Sequence, residues 1–371
     1  MADFVSEKLA VLGGRPAFAK PRHVGMPNIP NREILHARLD EILASRRLAN
    51  DGPYVRRFEA QLADMTGAPH AVAMCSAMVA MQVLFRALEL AGEVITPSFT
   101  FIATAHAAAW ERLQPVFIDV DPDTHMISPD RIGATLTART QAIVGVHLWG
   151  STCDVDALQA IADKARIPLI LDAAHAFGCT SRGRLIGALK AVSVLSFHAT
   201  KVVQSLEGGA VLTGDGDLAA KLRLMRNFGF QGYERVGCLG TNAKLNEVSA
   251  TFGIGCIEEF ESFVAVNRRN LEQYQSSLMN IPGLRFYRRD PTEKSNCQYV
   301  ILDIDPVSCP LMRDELVDPL HAENIFARKY FSPGCHRQSP YQDVVLSECP
   351  THREPTGGAI DGAAHGNGGF G

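Results

Sequence analysis

Between Ala71 and Thr213 the chain alternates short apolar runs with longer amphipathic ones, and this rhythm limits the possible folds more than any other feature. Ala71–Met74, Glu93–Thr96, Val116–Asp119, Ala142–His147, Leu169–Asp172, Val192–Ser196 and Ala210–Thr213 have the length and apolar content of buried strands. Val79–Leu90, Ile102–Trp110 and Val155–Ala165 carry helical patterns between them. Strands alternating with helices predict an α/β fold, a mostly parallel sheet with helices on both faces. Such sheets bind ligands outside the carboxyl ends of their strands, where Asp172 and Ser196 fall.

The rhythm changes after Asn246. A long helical pattern runs through Glu258–Leu278, followed by a strand pattern at Gln298–Ile304 and a helical one at Leu311–Glu323. At 371 residues the chain exceeds what one core ordinarily supports. We expect a large α/β domain with an N-terminal arm over 1–250 and a smaller α+β domain over 251–346. Residues 347–371 form a tail in which seven of the last fifteen residues are glycine, too poor in apolar surface to offset its ordering entropy.

Composition excludes several function classes. A formal charge of −4 supplies no basic field for nucleic acid. No apolar run approaches the ~18 residues that span a bilayer, and the acidic, mixed start is unlike a signal peptide. Nine scattered cysteines without a Cys-x-x-Cys pair fit neither a disulfide framework nor a metal site. These features point to a cytoplasmic protein.

Chemistry concentrates at two strand ends. Leu169–Asp172 closes in an acid, and Val192–Ser196 leads through Phe197-His198-Ala199-Thr200 to Lys201. A carboxylate to hold a proton on a pyridine nitrogen, and an amine to bond an aldehyde, are what pyridoxal 5′-phosphate requires. Either residue alone is ordinary, since loop lysines are usually solvated and strand-end aspartates usually cap turns. Other parts strengthen the pair. Ala71–Met74 passes through Cys75-Ser76 into a helix whose first amides, Ala77 and Met78, suit a phosphate. Ser196 could add a hydroxyl. Of Phe99 and Phe101, one is expected to stack on the cofactor and the other to enter the core. His175, three residues after Asp172, could donate to the cofactor's phenolic oxygen, orient Asp172, or be structural. His147 and His198 are weaker candidates.

Together these segments resemble the DegT/StrS-type nucleotide-sugar aminotransferases of pyridoxal phosphate fold type I. The likeness runs through Asp51-Gly52-Pro53-Tyr54-Val55, Pro97-Ser98-Phe99-Thr100-Phe101, Asp172–Gly178, Ser196–Lys201, Glu207-Gly208-Gly209-Ala210, Gly240-Thr241-Asn242, Asn246-Glu247 and Tyr330–His336, within residues 22 to 345. The resemblance implies that Lys201 carries the cofactor, Asp172 pairs with its ring nitrogen, Phe101 stacks and His175 stands beside it. It also implies a phosphate held by Ala77, Met78 and Ser196, with Asn242 reaching the partner subunit's cofactor in a homodimer with shared active sites. Tyr330 and His336 are near-site candidates for substrate by family position alone. The implied reaction moves an amino group from an amino acid, L-glutamate by similarity, to a nucleotide-linked keto sugar. Among relatives the likeness favours a dTDP-4-keto-6-deoxyhexose aminated at carbon 4, with carbon 3 the alternative, for deoxyamino sugars of antibiotics or surface polysaccharides.

Three departures stand against this likeness. Met78 replaces a small polar residue, Ser76 replaces a common asparagine, and the glycine-rich tail replaces a final strand and helix. Two rivals follow from the same residues. A sugar dehydratase of this fold would carry histidine in place of Lys201, and a non-catalytic homologue would hold no cofactor.

Overall fold

The structure of the protein is a computed structural model describing residues 8–342. The glycine-rich tail lies outside the described residues. All seven strands expected between Ala71 and Thr213 form one sheet. They are β1 (His70–Met74), β2 (Glu93–Pro97), β3 (Gln114–Ile118), β4 (Thr140–Val146), β5 (Leu169–Asp172), β6 (Val192–Ser196) and β7 (Gly209–Thr213). Their order is β1-β7-β6-β5-β4-β2-β3. Only β7 runs against its neighbours, so the other six point their carboxyl ends the same way.

Side chains alternate across the pleat. Ala71 and Ala73 of β1 enter one core while Val72 and Met74 enter the other. The first core is closed by α2 (Pro53–Thr66) and α7 (Glu247–Glu258), which contribute Phe58, set against Phe197, and Ile254, while the following Phe260 packs on Phe177. Gly253 permits that approach, because a Cβ there would strike the Phe58 ring. Burying a side chain such as Phe58 contributes roughly 1.5–3 kcal/mol. The second core lies under α3 (Ala77–Ala87) and α6 (Gly216–Met225). A third surrounds Trp149, β2 to β5 and α5 (Val155–Ala165).

Local sequence explains where these helices start. The Ser76 hydroxyl accepts from Val79 N at 3.2 Å, opening α3, and Asn246 accepts from Ser249 N at 2.8 Å, opening α7. Pro53 begins α2 and Gly67, at φ 72°, ends it.

The expected long helix is present as α8 (Phe260–Leu278), with a break at Glu259 (φ −107°, ψ 9°) separating it from α7. The Glu259 carboxylate accepts from Asn31 N at 2.6 Å beside the break. The strand expected over Gln298–Ile304 is confined to β9 (Leu302–Ile304), paired with β8 (Leu284–Phe286). Gln298 and Tyr299 are committed to the Lys201 loop instead of to a ladder. The following helix, α9 (Arg313–Ala322), lies within its expected span, and Ile325–Phe326 beyond it pairs with Arg22–His23 of the N-terminal arm.

Candidate active site

The parallel register sets Asp172 opposite Val194 on neighbouring strands, so the loop after β6 returns Lys201 toward the end of β5. Asp172 keeps both oxygens occupied. Oδ2 accepts from the Thr104 hydroxyl at 2.7 Å and Oδ1 from Ala174 N at 3.1 Å. Thr104 lies on α4 (Ala103–Trp110), and its hydroxyl is 3.1 Å from that of Thr100. Burial pushes the Asp172 carboxyl above its usual range, while these hydrogen bonds and the Lys201 charge pull it back. Among the described residues no cation forms an ion pair with it at contact distance. Burial lowers Lys201 to about 8 against the attraction of Asp172.

Lys201 Nζ donates to the Tyr299 hydroxyl at 3.4 Å, and that hydroxyl is 3.2 Å from His175 Nε2. Burial, then the nearby Lys201 charge, hold His175 well below its usual value, so it stays neutral. Its Nδ1 is buried with no hydrogen-bond partner. Trp149, fully buried, sets its ring 5.6 Å from both His175 and Tyr299. The Trp149 backbone stands at φ 60°, a left-handed conformation rare for a bulky residue. Arg289 holds its carbonyl at 3.0 Å, and its indole N–H donates to His125 Nδ1 at 3.1 Å.

At the other end of the site, Met74, Gly209 and Ser196 lie in register across β1, β7 and β6. This alignment brings Ser196 level with the start of α3. The amides of Ala77 and Met78 have no acceptor among the described residues, as expected for a first helical turn. Gly209 leaves room there, because a Cβ would collide with the Ala77 nitrogen. Ser196 Oγ accepts from His198 N at 3.4 Å.

The two phenylalanines divide as the sequence suggests. Phe99 is buried, 5.2 Å from Phe331 and 6.4 Å from Trp149. Phe101 is 58% exposed and lines a cavity of about 400 Å³ with Tyr330, Arg328 and Ser332. Tyr330 also stands 5.5 Å from Trp149 and 6.0 Å from Tyr299. His336 lies elsewhere, with its ring 6.5 Å from Phe117 of β3, the edge strand. Asn242 is exposed and accepts from Lys244 Nζ at 2.7 Å. The next residue, Ala243, takes the Cys75 amide at 2.9 Å, which lays this segment beside the exit of β1. His198 pairs with Glu207 at 2.7 Å, and His147 accepts from Cys153 N at 3.2 Å. Sequence reasoning missed Thr104, Trp149 and Tyr299. Only Thr104 had a local signal, through its place just after the Phe99–Phe101 loop.

An open, mostly parallel α/β sheet with an acid and an amine at adjacent strand ends defines the fold-type-I class of pyridoxal phosphate enzymes. Residues 31–354 match the DegT/DnrJ/EryC1/StrS aminotransferase family, and the chain belongs to it. A dTDP-4-amino-4,6-dideoxy-D-glucose transaminase of Shigella dysenteriae is 36% identical over 315 residues, covering 85% of each chain. An Escherichia coli enzyme of the same description is 30% identical over 323 residues, covering 87% of each. Among solved structures, DesI in the presence of its TDP-sugar product superposes with a TM-score of 0.88 at 46% identity, over 92% of this chain and 87% of that one.

Enzymes of this family use pyridoxal 5′-phosphate, and the protein is accordingly a pyridoxal-phosphate-dependent aminotransferase. The polar groups of the site fit that cofactor. They comprise a carboxylate without a cation in contact, a buried imidazole nitrogen without a partner and two free amides at a helix start. No helix among the described residues is long and apolar enough to cross a membrane.

Proposed function

We propose that this aminotransferase moves an amino group from L-glutamate to carbon 4 of a dTDP-4-keto-6-deoxyhexose, in deoxyamino-sugar biosynthesis in the cytoplasm. The observation that carries the chemistry is the meeting of Asp172 and Lys201 at adjacent strand ends, with each group's ionisation shifted by burial. Likeness to two transaminases named for 4-amino sugars supports carbon 4.

When bound, the cofactor supplies an electrophilic aldehyde and an electron-withdrawing ring. Ala77 and Met78 would hold its phosphate through main-chain N–H groups and Ser196 through its hydroxyl. Phe101 would cover one ring face, and His175 Nδ1–H would meet the phenolic oxygen. Asp172, fixed by Thr104, would keep a proton on the ring nitrogen. Lys201 would hold the aldehyde and, as a free amine, would take a proton from the donor's Cα and deliver one at the sugar carbon. Burial lowers Lys201 to about 8, so it gives up its proton more readily than a solvated lysine, as a base must. Tyr330 lines the cavity where substrate would enter.

The pair of substrates is itself the test. Incubation with L-glutamate and dTDP-4-keto-6-deoxyglucose should yield 2-oxoglutarate and a sugar carrying its amine on carbon 4, read by mass spectrometry and NMR. An amine on carbon 3, loss of a hydroxyl without amine gain, or no product would each refute the reading.

We also infer a homodimer in which Asn242 serves the partner's phosphate site, consistent with its exposure in the single chain. Mixed dimers of Asn242→Ala and Lys201→Ala subunits place both lesions in one site. Such dimers should recover activity that neither parent shows, and verified heterodimers without recovery would count against sharing.

A further inference from the structure

We propose that Tyr299 is a positioning residue for the reacting amine: its phenol oxygen accepts from Lys201 Nζ at 3.4 Å while its O–H is aimed at His175 Nε2, 3.2 Å away. The inference rests on Lys201 being the residue that bonds the aldehyde.

A phenol has one proton to give. Burial pushes Tyr299 further up from its ordinary value, so it stays protonated, and burial keeps His175 neutral. The neutral imidazole can therefore accept at Nε2 while Nδ1 carries the hydrogen. That bond fixes the phenol rotor and turns an oxygen lone pair toward Lys201. The amine then points an N–H at Tyr299 and keeps its own lone pair free for the reacting carbon.

The phenol is firmly seated. Tyr299 is 5% exposed, its ring is 4.5 Å from that of His175 and edge-on to Trp149 at 5.6 Å. Arg289 Nη2 donates to its carbonyl at 2.5 Å, and Gln298 before it donates to Thr200 O at 2.6 Å. Small-domain sequence thus fastens itself to both ends of the Lys201 contact. A lysine on a flexible four-carbon stem otherwise samples several rotamers.

The titratable groups around Lys201 are Asp172 at the end of β5, His175 on the following turn and Tyr299. Tyr330 and Arg328 lie beyond Tyr299. The acceptor at Tyr299 favours the ammonium over the neutral amine.

The experiment uses apo-protein with pyridoxal 5′-phosphate as the probe, cyanoborohydride to trap the lysine that bonds it, and peptide mass spectrometry across pH. In the wild type, capture at Lys201 should rise with a midpoint of about 8. In Tyr299→Phe, which keeps the ring, the midpoint should move to lower pH. Its kcat with donor and acceptor should fall about tenfold, with KM held within about twofold. An unchanged midpoint and kcat would overturn the proposal, as would a variant that loses only thermal stability. Should Tyr299→Phe fail to fold, Tyr299→Met removes the hydroxyl with a flexible apolar side chain in place of the ring and is read the same way. Wild-type capture at another lysine would overturn the assignment of Lys201 itself, and Tyr299 with it.

Discussion

The site is built from two regions of different origin. Asp172 ends β5 and Lys201 lies in the loop after β6, and the two are brought near each other because β5 and β6 are hydrogen-bonded in register. Trp149, Tyr299 and Tyr330 come from three segments far apart in the chain and meet only as packed rings. The first region places charge by backbone geometry, which repeats wherever a strand ends at the sheet edge. The second places hydroxyls and ring faces by packing, which any change of volume disturbs. Altering the first should therefore change chemistry while the fold survives, and altering the second should cost stability as well.

Lys201→Ala makes the sharpest break. The proposed phosphate contacts would be untouched, so the protein should still bind cofactor, yet turnover should drop by about 10⁴ or more with the proposed proton carrier gone. Steady-state assays together with the thermal transition check it, and native turnover would remove Lys201 from the chemistry.

Trp149→Ala should show the opposite pattern. Removing a fully buried indole that touches His175, Tyr299 and Tyr330 should cost roughly 3–5 kcal/mol of stability, measured by chemical denaturation. A loss below about 1 kcal/mol would mean that the aromatic region is not held by packing.

Asp172→Asn should keep the fold and lower kcat by about 10²–10³. An ion pair at about 4 Å with an effective dielectric near 20 is worth roughly 4 kcal/mol, or about three units on the ring nitrogen. The amide supplies none of that charge. Turnover within about threefold of native would exclude this role.

The smallest effect concerns pH. Lys201 falls from 10.5 to about 8 on folding, so the unfolded chain binds the extra proton between those values. Native apo-protein bears the full cost of the buried ammonium below pH 8, and the cost fades as pH rises toward 10.5. Lys201→Met should therefore be more stable than wild type at pH 7, by roughly 1–3 kcal/mol after allowance for solvent screening. The advantage should shrink at alkaline pH, and a difference independent of pH would contradict the burial of a charged amine.

Legibility in the sequence followed the same division. The seven strands could be read because each is a short apolar run bounded by polar residues, and their ends moved by at most two residues. Asp172, Lys201 and the Ser76-Ala77 helix start were visible because each sits at such a boundary. The split between Phe99 and Phe101 was legible as a pair, while which one is buried depended on the rings that Trp149 and Phe331 bring. Tyr299 was hidden inside a segment that reads as a strand.

By itself the sequence specified the alternation of strands and helices and the acid and amine that follow two of the strands, because apolar periodicity and its polar boundaries are local properties. Tertiary structure alone decided that Tyr299 stands between Lys201 and His175, that Thr104 holds Asp172, and that His336 packs on Phe117. Such contacts join residues 68 to 219 positions apart, and no periodicity encodes which distant side chains close packing will bring together.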